Sequence, residues 1–258
     1  MSLQKDMAIV LRRLDYSETS QVIAVFTREH GQERLIAKGI KRGTRSRVAV
    51  GVDLLELGQL VYSSNPNKAE VLGVLTEWRQ IDSFPHLRGD LARLYAAQYA
   101  AEVTSQLTEV HDAHSVLFDG LVELMRRFAG HDPLASLIEF LLVLLREVGL
   151  RPQWLRCTNC GREVLGDSMI YFSSRQGGVI CRDCEPAMVE KRRIDALSLR
   201  QLLVIEASDE TGGGRSQPVA RADLMQAFDL LDYHLREIMS RPAKLSGPFR
   251  AAIGMKPQ

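Results

Sequence analysis

Across the first eighty residues, apolar and polar positions alternate in runs of strand length. The segments MAIVLRRL, SQVIAVFT, ERLIAKGI, DLLELGQLVYSS and AEVLGVLTEW are apolar and rich in β-branched residues, and the turn signals DYSET, REHGQ and SNPNK separate them. Five short strands in so short a span predict a small barrel over residues 1–80, and an OB-fold has that strand count.

From Phe84 the period lengthens to that of a helix. LRGDLARLYAAQYAAEVTSQL places Leu87, Leu91, Leu94, Tyr95, Gln98 and Ala101 near one face, HSVLFDGLVELMRRFAG predicts a second helix and DPLASLIEFLLVLLREVG a third. Asp132 suits the N-cap of the third, Pro133 its first position and Gly149 its end. That helix is apolar on most of its faces, which predicts the centre of a helical bundle beginning over 81–150. Helical periodicity returns over 191–241 in IDALSLRQLLVIEA and RADLMQAFDLLDYHLREIMS. Residues 151–190 therefore read as an insertion in, or appendage on, one helical domain. SDETGGGRSQP reads as a flexible connection and 242–258 as a flexible tail. The fold class expected is α+β and multidomain.

Composition changes this picture little. At 45% hydrophobic and 25% charged residues the chain is globular rather than disordered or fibrous. The opening apolar run is too short for a secretory signal, and FLLVLL falls far below the roughly 18 residues that span a bilayer, so a cytoplasmic protein is expected. The formal net charge of +1 gives no global pull toward nucleic acid. Its distribution is uneven: residues 1–80 hold 12 Lys and Arg against 9 Asp and Glu, the remainder 21 against 23.

All four cysteines lie in CTNCGREVLGDSMIYFSSRQGGVICRDC, spaced Cys157-x2-Cys160-x20-Cys181-x2-Cys184. Two residues between thiolates let a tight turn aim both sulfurs at one point, and two such turns complete a tetrahedron around Zn2+. RQGG predicts a hairpin joining the knuckles, as in a zinc ribbon. Four sulfurs leave no open coordination position, so the zinc would be structural. A thiol–disulfide or iron–sulfur site is the alternative reading of the same cysteines.

The densest cationic stretch is KGIKRGTRSR, with Lys38, Lys41, Arg42, Arg45 and Arg47 and no acid among them. On a small barrel such a loop suits phosphate contacts. Arg28 and Arg34 extend the track, and Tyr62 or Trp78 offers a stacking surface. The plain alternative is a solvated loop. TGGGR lacks the ending of a phosphate loop, and no dinucleotide fingerprint follows a strand. His111 and His114 read as a helix-start pair rather than metal ligands. No catalytic constellation is present.

Three segments resemble one family. MAIVLRRLDYSETSQVIAVFTREHGQERLIAKGIKR resembles the N-terminal barrel of the RecO family of bacterial recombination mediators, DSFPHLRGDLARLYAAQYAAE the start of its helical domain, and CTNCG…YFSSRQGGVICRDC its zinc element. The resemblance covers about Lys5 to Met239, in the family's order. It implies an OB-fold, a helical domain and a zinc finger. It further implies binding of single- and double-stranded DNA, annealing of complementary strands, and partnership with RecR and with the C-terminal tail of single-stranded-DNA-binding protein, in helping to load RecA near the nucleoid. The family's basic barrel positions fall on Lys38, Lys41 and Arg42, followed by Arg45 and Arg47, and its zinc ligands on the four cysteines, which some relatives lack. The expectation is thus a non-catalytic DNA-binding mediator. The alternatives are a protein-only scaffold or a zinc- or thiol-dependent enzyme.

Overall fold

A computed structural model describes residues 3–41, 51–64, 71–167, 169–210 and 219–255. The chain forms two compact units, residues 1–130 and 131–258.

In the first unit the five apolar runs become β1 (Leu3–Asp15), β2 (Gln21–Thr27), β3 (Gly31–Ala37), β4 (Leu57–Ser63) and β5 (Gly73–Asp82). They close in the order β1-β2-β3-β5-β4, with β4 pairing back on β1 and β3 parallel to β5. This is the five-stranded barrel of an OB-fold. Alternate residues fill it: Ala8 and Val10 from β1, Ile23 and Val25 from β2, Leu35 and Ala37 from β3, Leu60 and Tyr62 from β4, Leu75 from β5. Strand β1 carries one irregularity. In β1, Val10 pairs with Val25 but Arg12 with Ala24, so Leu11 is an extra residue. Such a bulge inverts the strand's alternation. Even-numbered residues point inward before it and outward after it.

After a 3-10 turn (Pro85–Gly89) come α1 (Leu91–Leu107) and α2 (Ser115–Arg127). Asp90 caps α1, its carboxylate accepting from the Arg93 amide at 2.9 Å. The buried face of α1 differs from the one its leucines predict: Ala96, Ala97, Tyr99, Ala100, Ala101 and Val103 are buried, whereas Leu91 is 63% exposed. Four alanines permit a close approach that larger side chains would block. Both helices belong with the barrel. Phe118 of α2 meets Phe26 of β2 at 6.1 Å between ring centroids, and Gln32 of β3 donates to the Thr108 carbonyl at 2.6 Å. The edge of β3 is shared. Leu35 and Ile36 pair with Gly73 and Val74 of β5, while Gln32 bridges Val110 and accepts from the His111 amide at 3.1 Å.

The second unit is built on α3 (Pro133–Glu147), which Asp132 caps at 2.9 Å from the Ala135 amide, with Pro133 at its first position. Most of its residues are buried, and it contacts α4 (Ala196–Glu210) and α5 (Arg221–Met239). Between α3 and α4 the chain makes β6 (Ile170–Ser173), β7 (Gly178–Cys181) and β8 (Arg192–Ile194), ordered β7-β6-β8. Phe172 ties this sheet to α5, its ring 5.3 Å from that of His234.

The expected flexible tail over 242–258 is corrected for its described part, to residue 255. It contains α6 (Ser246–Ala252). Phe249 is fully buried, edge-on to Phe228 at 5.1 Å, and the buried Arg250 guanidinium meets Asp232 at 2.9 Å and Asp229 at 2.8 Å. Gly247 and Pro248, which suggest a loose end, lie in the first turn of a docked helix instead, and Gly254 follows its end.

His234 carries a pH dependence. Burial pushes its pKa below the ordinary 6.5, against the opposing effect of the Leu150 carbonyl, and Ser174 Oγ sits 2.7 Å from Nδ1. A base held neutral in the fold contributes stability above its unfolded pKa and loses it as pH falls through 6.5 toward the folded value. Denaturant titrations should therefore show the second unit weaker at about pH 5.5 than at about pH 7.5. Substituting His234→Phe should remove part of that difference.

Candidate nucleic-acid interface and candidate metal centre

The predicted cations divide by environment. Lys38 follows β3 and is exposed, and Arg34 is exposed on β3 itself. Neither has an ion-pair partner among the described residues. Lys41 is held: its amide donates to the Thr19 carbonyl at 3.2 Å and its Nζ lies 2.7 Å from Asp15 Oδ2. The Lys41 ammonium in turn keeps the Asp15 carboxyl below the usual range, so Asp15 stays ionised near neutral pH. Lys38, Lys41 and the β1–β2 turn thus meet at one end of the barrel. Arg28 lies elsewhere, its guanidinium hydrogen-bonded twice to Asp119 of α2, at 2.9 and 2.8 Å, and once to Glu29 at 2.6 Å. Those acids raise its pKa further and already balance its charge. Arg42, Arg45 and Arg47 lie outside the described residues.

Neither aromatic suggested for stacking is free to do so. Tyr62 is fully buried in the barrel core, its hydroxyl 3.4 Å from Glu33, and burial pushes its pKa up. Trp78 packs against the core, with its ring laid over Gly58 so closely that a Cβ there would come within 2.4 Å. The exposed aromatic at the basic end is Tyr16, in the β1–β2 turn, at 67% exposure. Sequence reasoning missed it, and also missed Arg12. The bulge at Leu11 sets which side both face, and a bulge leaves no signature in the hydrophobic pattern.

The four cysteines converge as their spacing predicts. Their sulfurs all lie within 4.8 Å of one another, Cys160 and Cys181 at 3.8 Å, and no disulfide joins them. The backbone explains why. Gly161, at φ 76°, donates its amide to the Cys157 carbonyl at 2.8 Å and turns the first knuckle, while Cys184 donates to Cys181 at 3.2 Å in the second. The β6–β7 hairpin, turning at Ser174–Gly177, brings Cys181 back beside Cys157, and the Thr158 amide donates to Val179 at 2.9 Å.

This donor set fits a metal ion. Zn–S bonds of about 2.3 Å in a tetrahedron place sulfurs ~3.8 Å apart. Desolvation opposes the Cys181 thiolate, but the Cys184 amide and the Arg162 guanidinium outweigh it and lower its pKa to about 6. Although the Asn159 amide lowers the Cys184 pKa, its hydrogen bond with Cys181 and its burial push that thiol up to about 12. Four thiols so close share protons unless a cation replaces them. Among the described residues this is the one cluster of three or more His, Cys, Asp or Glu side chains with metal-binding geometry. His111 bonds Glu33 at 3.0 Å and His114 bonds Asp112 at 3.1 Å, so the two histidines serve separate acids. No helix among the described residues is long and apolar enough to cross a membrane.

A closed OB barrel, two helices packed on it, and a helical unit carrying a four-thiol ribbon define the class: a multidomain α+β protein with a metal-competent cysteine element. Residues 1–84 match the model for the N-terminal region of recombination protein O, and residues 88–246 that for its C-terminal region. The chain belongs to the RecO family. It is 30% identical to the DNA repair protein RecO of Anaeromyxobacter dehalogenans over 242 residues, covering 93% of each chain. It is 31% identical to that of Roseiflexus sp. over 237 residues, 91% of this chain and 80% of the relative. With that of Rhodopirellula baltica it shares 34% over 183 residues, 70% and 67% of the two chains.

Proposed function

We propose that this chain is a non-catalytic mediator of DNA repair and recombination that grips the phosphates of single and double strands at the basic end of its barrel. The observation that carries this reading is the grouping of Lys38 and Lys41 beside the β1–β2 turn of an OB barrel, with Arg34 exposed further along β3, the region where that fold holds oligonucleotides. Each cation that neutralises a phosphate releases condensed counterions. Two strands so screened approach closely, and their base pairing then supplies the free energy of annealing, with no nucleotide consumed. Arg42, Arg45 and Arg47, in the same cationic run of the sequence, are proposed as further phosphate contacts. Arg28 is left out of the proposed surface, because it lies at the β2–β3 turn, away from the β1–β2 turn, and is paired with Asp119 of α2.

In this reading Cys157, Cys160, Cys181 and Cys184 hold a structural zinc. The ion supplies cross-linking of the two knuckles and no reaction step, because four sulfurs leave it no open position. Family membership supports the remaining roles: RecR and the C-terminal tail of single-stranded-DNA-binding protein as partners, loading of RecA as the outcome, and the cytoplasm, at the nucleoid, as the place.

Fluorescence anisotropy with labelled single strands over a salt series tests the binding. Each phosphate contact contributes about −0.7 to the log–log slope on a single strand. Reversing Lys38 and Lys41 to Glu should flatten the slope by about 1.4 and weaken binding by roughly tenfold or more at 0.1 M salt. Asp15→Asn should act oppositely, freeing Lys41 and tightening binding about threefold at low salt. A scaffold that binds only proteins would leave the label's anisotropy unmoved throughout.

A further inference from the structure

We infer that the outer face of β1–β2–β3 is a trough for unpaired bases, with Tyr16 as its stacking residue. This inference rests on the nucleic-acid reading above and names the part of the ligand that reading leaves open.

The trough follows from strand register. After the bulge, Arg12 and Leu14 lie on the outer side of β1 and Tyr16 stands one step past its end, all exposed, with Leu14 at 66% and Tyr16 at 67%. Arg12 is paired with Ala24 and Leu14 with Val22. The Tyr16 amide donates to the Ser20 carbonyl at 3.0 Å, which carries the ladder one step further. On the other side of β2, Ala24 pairs with Arg34 and Val22 with Ile36, and Lys38 stands one position beyond the Gln21–Ala37 pair.

Three rows therefore cross the three strands. The middle strand contributes only small, half-buried side chains, Ala24, Val22 and Ser20. The flanking strands raise longer ones about 10 Å apart, twice the strand spacing, and successive rows are about 7 Å apart. The floor is apolar at Ala24 and Val22, Leu14 and Ile36 flank Val22, and Arg12, Arg34 and Lys38 stand at the corners without ion-pair partners among the described residues. An apolar channel edged by cations, with an aromatic ring at one end, complements a chain of flat rings on an anionic backbone. A duplex keeps its bases stacked inside and would offer this channel only phosphates.

The same face also shows where the trough ends. One row further down, Ile9, Phe26 and Gln32 are paired across the same strands but buried, with Phe26 against Phe118 of α2 and Gln32 bonded to Ser105 and Thr108. Helices cover the lower part of the face, and among the described residues the part above the bulge is left open. Without the extra residue at Leu11, Arg12 and Leu14 would point into the barrel.

The test compares an oligothymidylate with an abasic sugar–phosphate strand of equal length, by anisotropy at fixed salt. The unaltered chain should favour the thymidylate about tenfold. Tyr16→Ala should remove most of that preference while leaving abasic binding unchanged, and Tyr16→Trp should retain it. Arg12→Glu should weaken both probes. Tyr16→Ala binding both probes as the unaltered chain does, or weakening both equally, would overturn the inference. In either case the dependence on Lys38 and Lys41 still supports the phosphate reading. Absence of binding to either probe by the unaltered chain would instead remove the proposed function, and the trough with it.

Discussion

Cys181→Ser is expected to abolish stoichiometric metal and to unfold the β6–β7–β8 sheet, while the barrel unit keeps its structure. Cys181 is fully buried at the end of β7 and belongs to both the sheet and the thiol cluster. Structural zinc contributes about 10–16 kcal/mol of apparent binding free energy in isolated finger peptides. Here the loss is smaller, because the sheet also buries Ile170, Phe172, Val179 and Ile180, and Phe172 stacks on Trp154 at 5.4 Å. A loss of several kcal/mol still exceeds most single-residue effects. Calorimetry should show the transition of the second unit shifted down or broadened, with that of the barrel unit in place, and a chelator should reproduce the shift. Oligonucleotide binding at low salt should survive in the variant. Full loss of binding with both units folded would assign the metal more than a structural part.

The second large effect concerns the docked C-terminal helix. Arg250 has a side-chain exposure of 3%, and its guanidinium meets Asp229 and Asp232 and lies over Phe228 at 5.4 Å. Ser246 donates to the same Asp232 oxygen at 2.7 Å. Arg250→Ala strips a buried carboxylate of its cation, and breaking a buried pair in this way costs about 3–5 kcal/mol. Replacing both partners, Arg250→Met with Asp232→Leu, should recover much of that, because matched apolar groups carry no desolvation penalty. Urea unfolding of the full chain checks both. A cost below about 1 kcal/mol for Arg250→Ala would mean that α6 contributes little to the second unit.

Much of this organisation is readable in the residues. Alternation placed all five barrel strands, because each presents one face to a single core. The cap at Asp132 and the proline after it marked α3, and cysteine spacing alone located the thiol cluster. What escaped depends on partners distant in sequence. The buried face of α1 follows its alanines rather than its leucines, since close helix packing favours small side chains. Helix α6 is seven residues long, too short for a period to emerge, and Phe249 and Arg250 acquire meaning only against Phe228 and Asp232. Tyr62 and Tyr16 are equally plausible stackers on paper. Alternation along β4 buries Tyr62, while Tyr16 lies beyond the bulge at Leu11, which leaves it exposed.

The divided edge of β3 bears on any attempt to isolate the barrel. β5 seals only its far half, at Leu35 and Ile36, and the near half is occupied by Val110 and His111. A fragment stopped after Asp82 would keep every strand yet leave backbone groups near Gln32 bare, along with the apolar patch around Phe26. Bare strand flanks recruit other chains. Such a fragment should self-associate, whereas one extended through Gly130 carries its own cover, so the smallest workable piece of this protein is a barrel with two helices attached.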